Sequence, residues 1–418
     1  MTIFISIAAY RDPELAPTIT DALRQAKRPG DLRFGVCWQH ETGETPPPTL
    51  DGGRMRVTPV RWQDSRGACW ARAACMQLYD GEDFYLQLDS HHRFAEHWDK
   101  TLLDQLERTG AAKPLLTAYL PAYNPDTPTP KTDAPTRMRF DKYTAEGVPL
   151  FQFDPIHDWR PDGRPMRARF VSAHMLFAPG GFVAEIPYDP ELYFTGEEIS
   201  LAARAFTHGY DLFHPGVHVA WHEYTRNQRP KHWDDHADAS AGGQPWRQLD
   251  AASLAKVHRL LNAPAPGPFG LGIARTLADY EAYAGLFFHS QFASRAARQG
   301  DEPAPPPSAN QLQERHWSIR CAVARTDLPV EALDRPLFWY VGLHDADGIE
   351  ILRDDAGEPE LQRLLAGAGA EIVIERRLTS ARAPVSWTIW PIDRQGRWLK
   401  RISRPIDPQP APGLWTAG

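Results

Sequence analysis

Cysteine is scarce in this chain: Cys37, Cys69, Cys75 and Cys321 are scattered along 418 residues with no C-x-x-C spacing. They read as ordinary buried thiols, and a reducing compartment suits them. Long apolar runs are missing as well. No segment sustains the about 18 consecutive apolar residues that a membrane-spanning helix needs, so no membrane span is expected. The apolar start, Thr2 to Ala9, is short, has no basic stretch before it and runs straight into Arg11-Asp12-Pro13. It is therefore a candidate buried strand and not a signal peptide, and the expected location is cytoplasmic. Excess positive charge is also absent. A formal charge of −7 and a pI near 6.1 provide no broad basic field for nucleic acid or an anionic membrane, although they leave room for a local basic pocket. No useful internal repeat is present.

Hydrophobic residues at 42% and charged residues at 24% describe a globular protein able to bury a full core, and the length suits two or three domains. Ile3–Ala8 is strand-like, Pro17–Ala26 helical and Leu32–Trp38 strand-like again, which is the rhythm of a parallel α/β sheet. Met55–Val60 continues it as a strand. Gly67–Leu78 follows as a helix, with Ala68, Ala71, Ala74, Cys75 and Leu78 at helical spacing. Phe84–Leu88 is a short apolar strand ending at Asp89, and ligands of open α/β sheets gather at such carboxyl ends.

Residues 121–165, rich in Pro, Asp and Thr, are expected to form a long loop region, either an acceptor-shaping element or a solvated insertion. Phe170–Phe177 reads as a strand turned by Gly180-Gly181, and Glu197–Gly209 as a helix with a glycine stop. The expected domains are 1–299, a Pro-rich linker at 300–314 and a small β-rich domain at 315–418.

Several residue sets carry chemistry. Asp89-Ser90-His91 straddles one residue just past a strand, so the carboxylate and imidazole share a face and suit Mn²⁺ or a related ion. Such an ion neutralises the charge of a departing diphosphate. D-x-H triplets also arise by chance, and a strand-end Asp often only caps a turn. Arg66, Gly67 and Arg72 stand at a helix start, where N–H groups and guanidinium forks meet phosphate oxygens; an exposed Arg66–Asp64 ion pair is the plainer alternative. Ser6, Ala9, Tyr10 and Arg11 close the first strand and can frame a nucleotide base, with Tyr10 equally suited to the core. Glu197 and Glu198 are candidate active-site acids or merely helix-start carboxylates stabilised by the dipole.

The segment Phe84 to Phe94 belongs to a series of ordered blocks. It includes Ile5-Ser6-Ile7-Ala8-Ala9-Tyr10-Arg11-Asp12-Pro13-Glu14-Leu15; Asp64-Ser65-Arg66-Gly67-Ala68-Cys69-Trp70-Ala71-Arg72; and Tyr188 to Leu192 with Phe194 to Ile199. Thr207 to Asp211, Trp221 to Arg226 and Gly270 to Glu281 follow. Together, over roughly residues 3 to 290, they resemble the family of N-acetylglucosaminyltransferases that includes the enzyme modifying hydroxyproline on the ubiquitin-ligase adaptor Skp1. Ser65 and Ala68 depart from that family's A-R-G-P-x-x-A-R block.

The resemblance implies a GT-A-like (Rossmann-like) α/β fold with Asp89, His91 and His222 as ligands of Mn²⁺ or Mg²⁺. With a UDP-sugar as donor, Ser6, Ala9, Tyr10, Arg11, Asp64, Arg66, Gly67, Arg72, Asp89 and Ser90 are the residues expected around it. It further implies a retaining transfer, of N-acetylglucosamine, to a hydroxyl of a peptide or protein acceptor. His208, His214, His218, His232 and His236 crowd the region of His222 without a block match of their own. Two other classes stay open: a metal-dependent hydrolase using the same Asp/His set, and a non-catalytic carbohydrate-binding protein drawing on the 14 tryptophans.

Overall fold

The computed structural model describes residues 1–126, 134–157, 163–225, 229–238, 245–262, 264, 267–306, 315–334, 336–346, 348–380 and 382–406. The chain divides into two compact units, Met1–Pro306 and Pro307–Gly418.

In chain order the first unit begins β1 (Ile3–Tyr10), α1 (Leu15–Gln25), β2 (Leu32–His40), β3 (Met55–Arg61), α2 (Ala68–Met76), β4 (Phe84–Asp89), β5 (His92–Phe94), α3 (Trp98–Arg108) and β6 (Pro114–Thr117). It continues with β7 (Thr136–Tyr143), β8 (Pro149–Pro155), β9 (Met166–Arg167), β10 (Met175–Pro179), α4 (Phe182–Glu185), α5 (Glu197–Thr207), β11 (Asp211–His214), β12 (Ala220–His222), α6 (His232–Asp235) and α7 (Trp246–Asn262). Eight strands form one sheet in the order β3-β2-β1-β4-β10-β6-β11-β9. Pairings from β3 through β4 are parallel, β10 is antiparallel to β4 and β6, and β9 is antiparallel to β11. This is the mostly parallel α/β architecture expected from the sequence.

β1 is apolar at nearly every position because both faces of the sheet are covered. Ile3, Ile5, Ile7 and Ala9 enter one core with Leu86 and Leu88, while Phe4 enters the other with Tyr85. Each fully buried Ile contributes roughly 1.5–3 kcal/mol. α1 packs with Leu15, Thr18, Ile19 and Ala22 inward, the i, i+3, i+4, i+7 stripe of an amphipathic helix.

Two local expectations are corrected. Within 121–165, β7 and β8 form an antiparallel pair; residues 127–133 and 158–162 lie outside the described set. Thr136, Met138 and Phe140 alternate inward between half-buried Arg137 and Arg139, a period-two pattern that builds a strand despite the surrounding prolines. Conversely, the strand predicted over Phe170–Phe177 begins only at Met175. In the segment just before it, side chains stand in for a ladder: the N–H groups of Ser172 and Ala173 donate to Thr117 Oγ1 at 2.8 Å and Glu198 Oε1 at 3.0 Å.

The second unit pairs strands Arg315–Ala324 and Glu371–Ser380, and joins Glu350–Arg353, Pro336–His344, Ser386–Asp393 and Ile402–Pro405 into a four-stranded sheet. Helices Val330–Asp334 and Glu358–Ala366 accompany them. Trp317, Trp339 and Trp387 are buried in its core. The predicted linker beyond Pro306 and the end of the predicted domain beyond residue 406 fall outside the described residues.

Candidate active site

β1 and β4 are parallel neighbours with Ala8 opposite Asp89, so their carboxyl ends open side by side. After Asp89 the chain passes Ser90 and His91 into β5, which pairs antiparallel with β12 so that His222 stands opposite His92. That pairing carries His222 to within reach of a residue 133 positions away. Its Nε2 lies 3.2 Å from Asp89 Oδ2, and His91 Nε2 lies 3.6 Å from the same oxygen. Ligand-capable atoms of Asp89, His91 and His222 all fall within 4.8 Å of one another.

The other oxygen of Asp89, Oδ1, accepts from Arg72 Nη2 at 2.6 Å. Arg72 is buried in α2, and its Nε lies 2.9 Å from Glu197 Oε1 without the alignment of a hydrogen bond. Glu197 also accepts from Tyr188 Oη at 2.7 Å. One buried guanidinium therefore sits between two carboxylates. Burial raises a carboxyl's pKa, but the His222 hydrogen bond and the Arg72 charge outweigh it and hold Asp89 well below the usual range. Burial, with His174 beside it, pushes His222 well down, which leaves it neutral as a ligand must be.

His91 Nδ1 lies 2.8 Å from Asp12 Oδ2, and Ser90 Oγ donates to the same oxygen at 2.6 Å. For Asp12, burial is again outweighed, here by the His91 hydrogen bond and the Arg229 charge, and the carboxyl stays ionised. An ionised carboxylate only accepts, so the network assigns the His91 proton to Nδ1 and leaves Nε2 as the ring's acceptor atom. One carboxylate oxygen and two imidazole nitrogens thus converge, a donor set that fits Mn²⁺ or a related divalent ion.

A cavity opens beside this cluster. Ala8, Tyr10, Gly67, Arg72, Asp89, Ser90 and His91 line it together with Tyr193, Phe194 and the segment from Arg229 to Trp233. Gly67 precedes α2 with φ +103°, and a Cβ there would stand 2.5 Å from the Tyr193 ring. Only glycine fits both the angle and the approach. The first turn of α2 has no side-chain cap, which leaves N–H donors facing the cavity end.

Tyr10 donates to Asp235 Oδ2 at 2.9 Å and packs on His232, with ring centroids 5.1 Å apart. Arg11 Nη1 reaches the same carboxylate at 2.9 Å and its guanidinium lies over Trp62. Of the remaining sequence candidates, Ala9 is buried on the opposite face of β1 from the cavity-lining Ala8 and Tyr10, and Ser6, on their face but further from the strand end, is buried and does not line the cavity. Asp64 and Arg66 are exposed, outside the cavity lining, and no ion pair joins them. Glu198 accepts from Tyr119 Oη and from the Ala173 N–H, and burial pushes its pKa up to about 7.

Sequence reading overlooked Asp12 and the Arg229–His236 segment. Asp12 was visible inside the first block but carries no spacing signature. His232, Trp233 and His236 stood out only by composition. The placement of His232 and His236 over Tyr10 and Trp62 depends on contacts between residues far apart in the chain, His236 Nε2 lying 3.1 Å from the Trp62 carbonyl oxygen, while Trp233 packs on Phe194.

The first unit is thus a mostly parallel α/β sheet with an Asp-x-His turn at the end of a central strand. The sequence model of the family described as Glycosyltransferase (GlcNAc) matches residues 2–52 and 47–290, and the chain belongs to that family. No protein of curated function matches it. Similar solved structures include GalNAc-T7 with UDP, GalNAc and Mn²⁺, at 15% identity and a TM-score of 0.43, covering 63% of this chain and 48% of that one. The chain thus spans about half the length of GalNAc-T7. TarS 1-349 from S. aureus in complex with UDP-GlcNAc is similar at 11% identity and a TM-score of 0.35, covering 68% and 71% of the two chains. The longer S. aureus TarS structure is similar over 100% of this chain and 80% of its own at 10% identity and a TM-score of 0.32.

Proposed function

We propose that this glycosyltransferase family member is a metal-dependent, retaining enzyme that moves N-acetylglucosamine from UDP-N-acetylglucosamine to a hydroxyl of a peptide or protein. The observation that carries the proposal is the convergence of Asp89 Oδ2, His91 Nε2 and His222 Nε2 beside a cavity at the ends of β1 and β4. A divalent ion held by these three residues would supply the positive charge that stabilises a leaving diphosphate.

The chain's own groups do the rest. Arg72 keeps Asp89 ionised and turned, and Glu197 balances Arg72, so Glu197 acts as a positioning residue. The open N–H groups of α2 suit diphosphate oxygens, and Tyr10 with His232 offers flat surfaces to a base. Glu198 lies outside the cavity lining and accepts from Tyr119 and Ala173; we assign it proton exchange with a sugar or acceptor hydroxyl, for which a pKa near 7 equips it at neutral pH. Family membership favours transfer over the hydrolase and pure carbohydrate-binding readings.

We assign catalysis to residues 1–299, joined through 300–314 to the unit at 315–418. No helix among the described residues is long and apolar enough to cross a membrane. The four cysteines are free and buried, which fits the proposed cytoplasmic location.

The test is a panel of UDP-sugars with and without Mn²⁺, read as slow donor hydrolysis and as transfer to hydroxyl-bearing peptides. Mn²⁺-dependent turnover preferring UDP-N-acetylglucosamine is expected. Metal-independent turnover would remove the metal from the proposal, and preference for another sugar would remove N-acetylglucosamine.

A further inference from the structure

Arg229 occupies an unusual position for a cation. Its Nη2 lies 2.8 Å from His91 Nε2, and its Nη1 donates to Asp12 Oδ2 at 2.9 Å. Glu223 Oε2 is 3.7 Å from Nη2. The side chain is only 14% exposed. A guanidinium has donors and no acceptor, and it keeps its proton at any physiological pH. The Nη2 contact therefore uses the His91 Nε2 lone pair, in the tautomer that Asp12 enforces from the other side of the ring.

That lone pair is the one a divalent ion needs. A metal bound to an imidazole nitrogen sits roughly 2.0–2.2 Å from it along the lone-pair direction. Nη2 stands on the same atom at hydrogen-bond distance, and the two positive charges cannot both be accommodated there. Asp12 serves both occupants equally, because its hold on His91 Nδ1 is unaffected by what takes Nε2.

We propose that Arg229 is a built-in competitor for the metal: its guanidinium holds the His91 ligand position in the ion-free protein and is displaced when the ion enters. Nη1 stays tethered to Asp12, and the released Nη2 donors turn to the cavity, which Arg229 already lines. There they suit a diphosphate, the anion class a guanidinium fork recognises. Arg229 leads directly into Pro230 to Trp233 of the cavity wall, so the exchange also bears on that wall. Metal and nucleotide binding are thereby coupled: the ion frees the arginine, and the diphosphate gives it a new partner.

This inference rests on the proposed metal reading, and the two fail differently. Mn²⁺ affinity is measured without nucleotide, by electron paramagnetic resonance of free Mn²⁺, for the full chain and for Arg229→Met, Arg229→Gln and Lys231→Met, each checked for an unchanged thermal midpoint. Lys231 is a second cation of the cavity wall, and no hydrogen bond or ion pair joins it to His91. Both Arg229 variants are expected to bind Mn²⁺ about tenfold more tightly than the unsubstituted protein, and Lys231→Met within about threefold of it. UDP affinity in the presence of saturating Mn²⁺ should fall for the Arg229 variants. If the unsubstituted chain and both Arg229 variants bind no Mn²⁺, the metal reading fails. If the unsubstituted chain binds Mn²⁺ and the Arg229 variants bind it no more tightly, the competition alone is wrong. Equal gains in Arg229→Met and Lys231→Met would reduce the effect to general charge and overturn it too. Arg229→Gln, which retains a neutral donor and most of the side-chain volume, keeps the test available should Arg229→Met unfold.

Discussion

Asp12 Oδ2 and His91 Nδ1 lie 2.8 Å apart, a carboxylate–imidazole contact that sets which nitrogen of His91 can accept a metal. Partners of this kind commonly change metal affinity about 10–100-fold when removed. Asp12→Asn is therefore expected to weaken Mn²⁺ binding by that range in calorimetry while leaving the far-ultraviolet circular dichroism unchanged. Unaltered affinity would mean that the Asp12 contact does not set His91 for the metal.

Asp89→Ala and His222→Ala each take one donor from the converging set. Both should abolish Mn²⁺-dependent donor hydrolysis, with a loss on the order of 100-fold or more in metal affinity. Full metal-dependent activity in either variant would falsify the ligand assignment.

Arg72 lies between Asp89 and Glu197, and its loss strands two buried carboxylates. Arg72→Met should lower the unfolding free energy by about 3–5 kcal/mol, read by urea denaturation. Arg72→Lys should recover only part of this, because an ammonium cannot present the planar fork that meets both partners.

Burial pushes the Glu198 carboxyl up from its usual 4.5 to about 7 in the folded state. The folded state then holds this proton more tightly than the unfolded chain, so its contribution to stability is largest below about pH 4.5 and declines as pH rises to 7. Glu198→Gln removes that slope. The stability difference between variant and parent should shift in favour of the variant across this window in parallel denaturation curves. If Glu198 must be ionised to act, the parent's kcat/KM rises through pH 7 and that limb disappears in the variant.

Gly67→Ala places a methyl 2.5 Å from the Tyr193 ring at a φ of +103°. A destabilisation of about 1–3 kcal/mol is expected from the backbone angle alone. Adding Tyr193→Ala should relieve the clash and leave the angular cost, so the double variant should melt between Gly67→Ala and Tyr193→Ala only if sterics dominate.

Much of the first unit was legible because its signals are local. The apolar run of β1, the helical spacing in α1 and α2, and the short strand ending at Asp89 each report a period that a few neighbouring residues contain. β7 was legible in principle, since Thr136, Met138 and Phe140 alternate inward, but proline-rich flanks drew the reading toward loop. Ser6 and Ala9 show the opposite failure. Proximity to the strand end suggested a site role, while the alternation of β1 turns Ala9 into the core, and Ser6, on the face of Ala8 and Tyr10, is buried back from the strand end and does not line the cavity.

The sequence by itself determined that Asp89 and His91 would stand together past a strand, because a spacing of two and a strand end are matters of a few covalent bonds. Only the tertiary structure decided what completes them. His222 arrives through the pairing of β5 with β12, Asp12 through the turn after β1, Arg72 from α2 and Arg229 from the segment over the cavity. Each of these contacts joins residues far apart in the chain, and none leaves a local period to read. They exist because the sheet brings its strand ends to one edge, where buried charges must find partners in whichever segment the fold sets beside them.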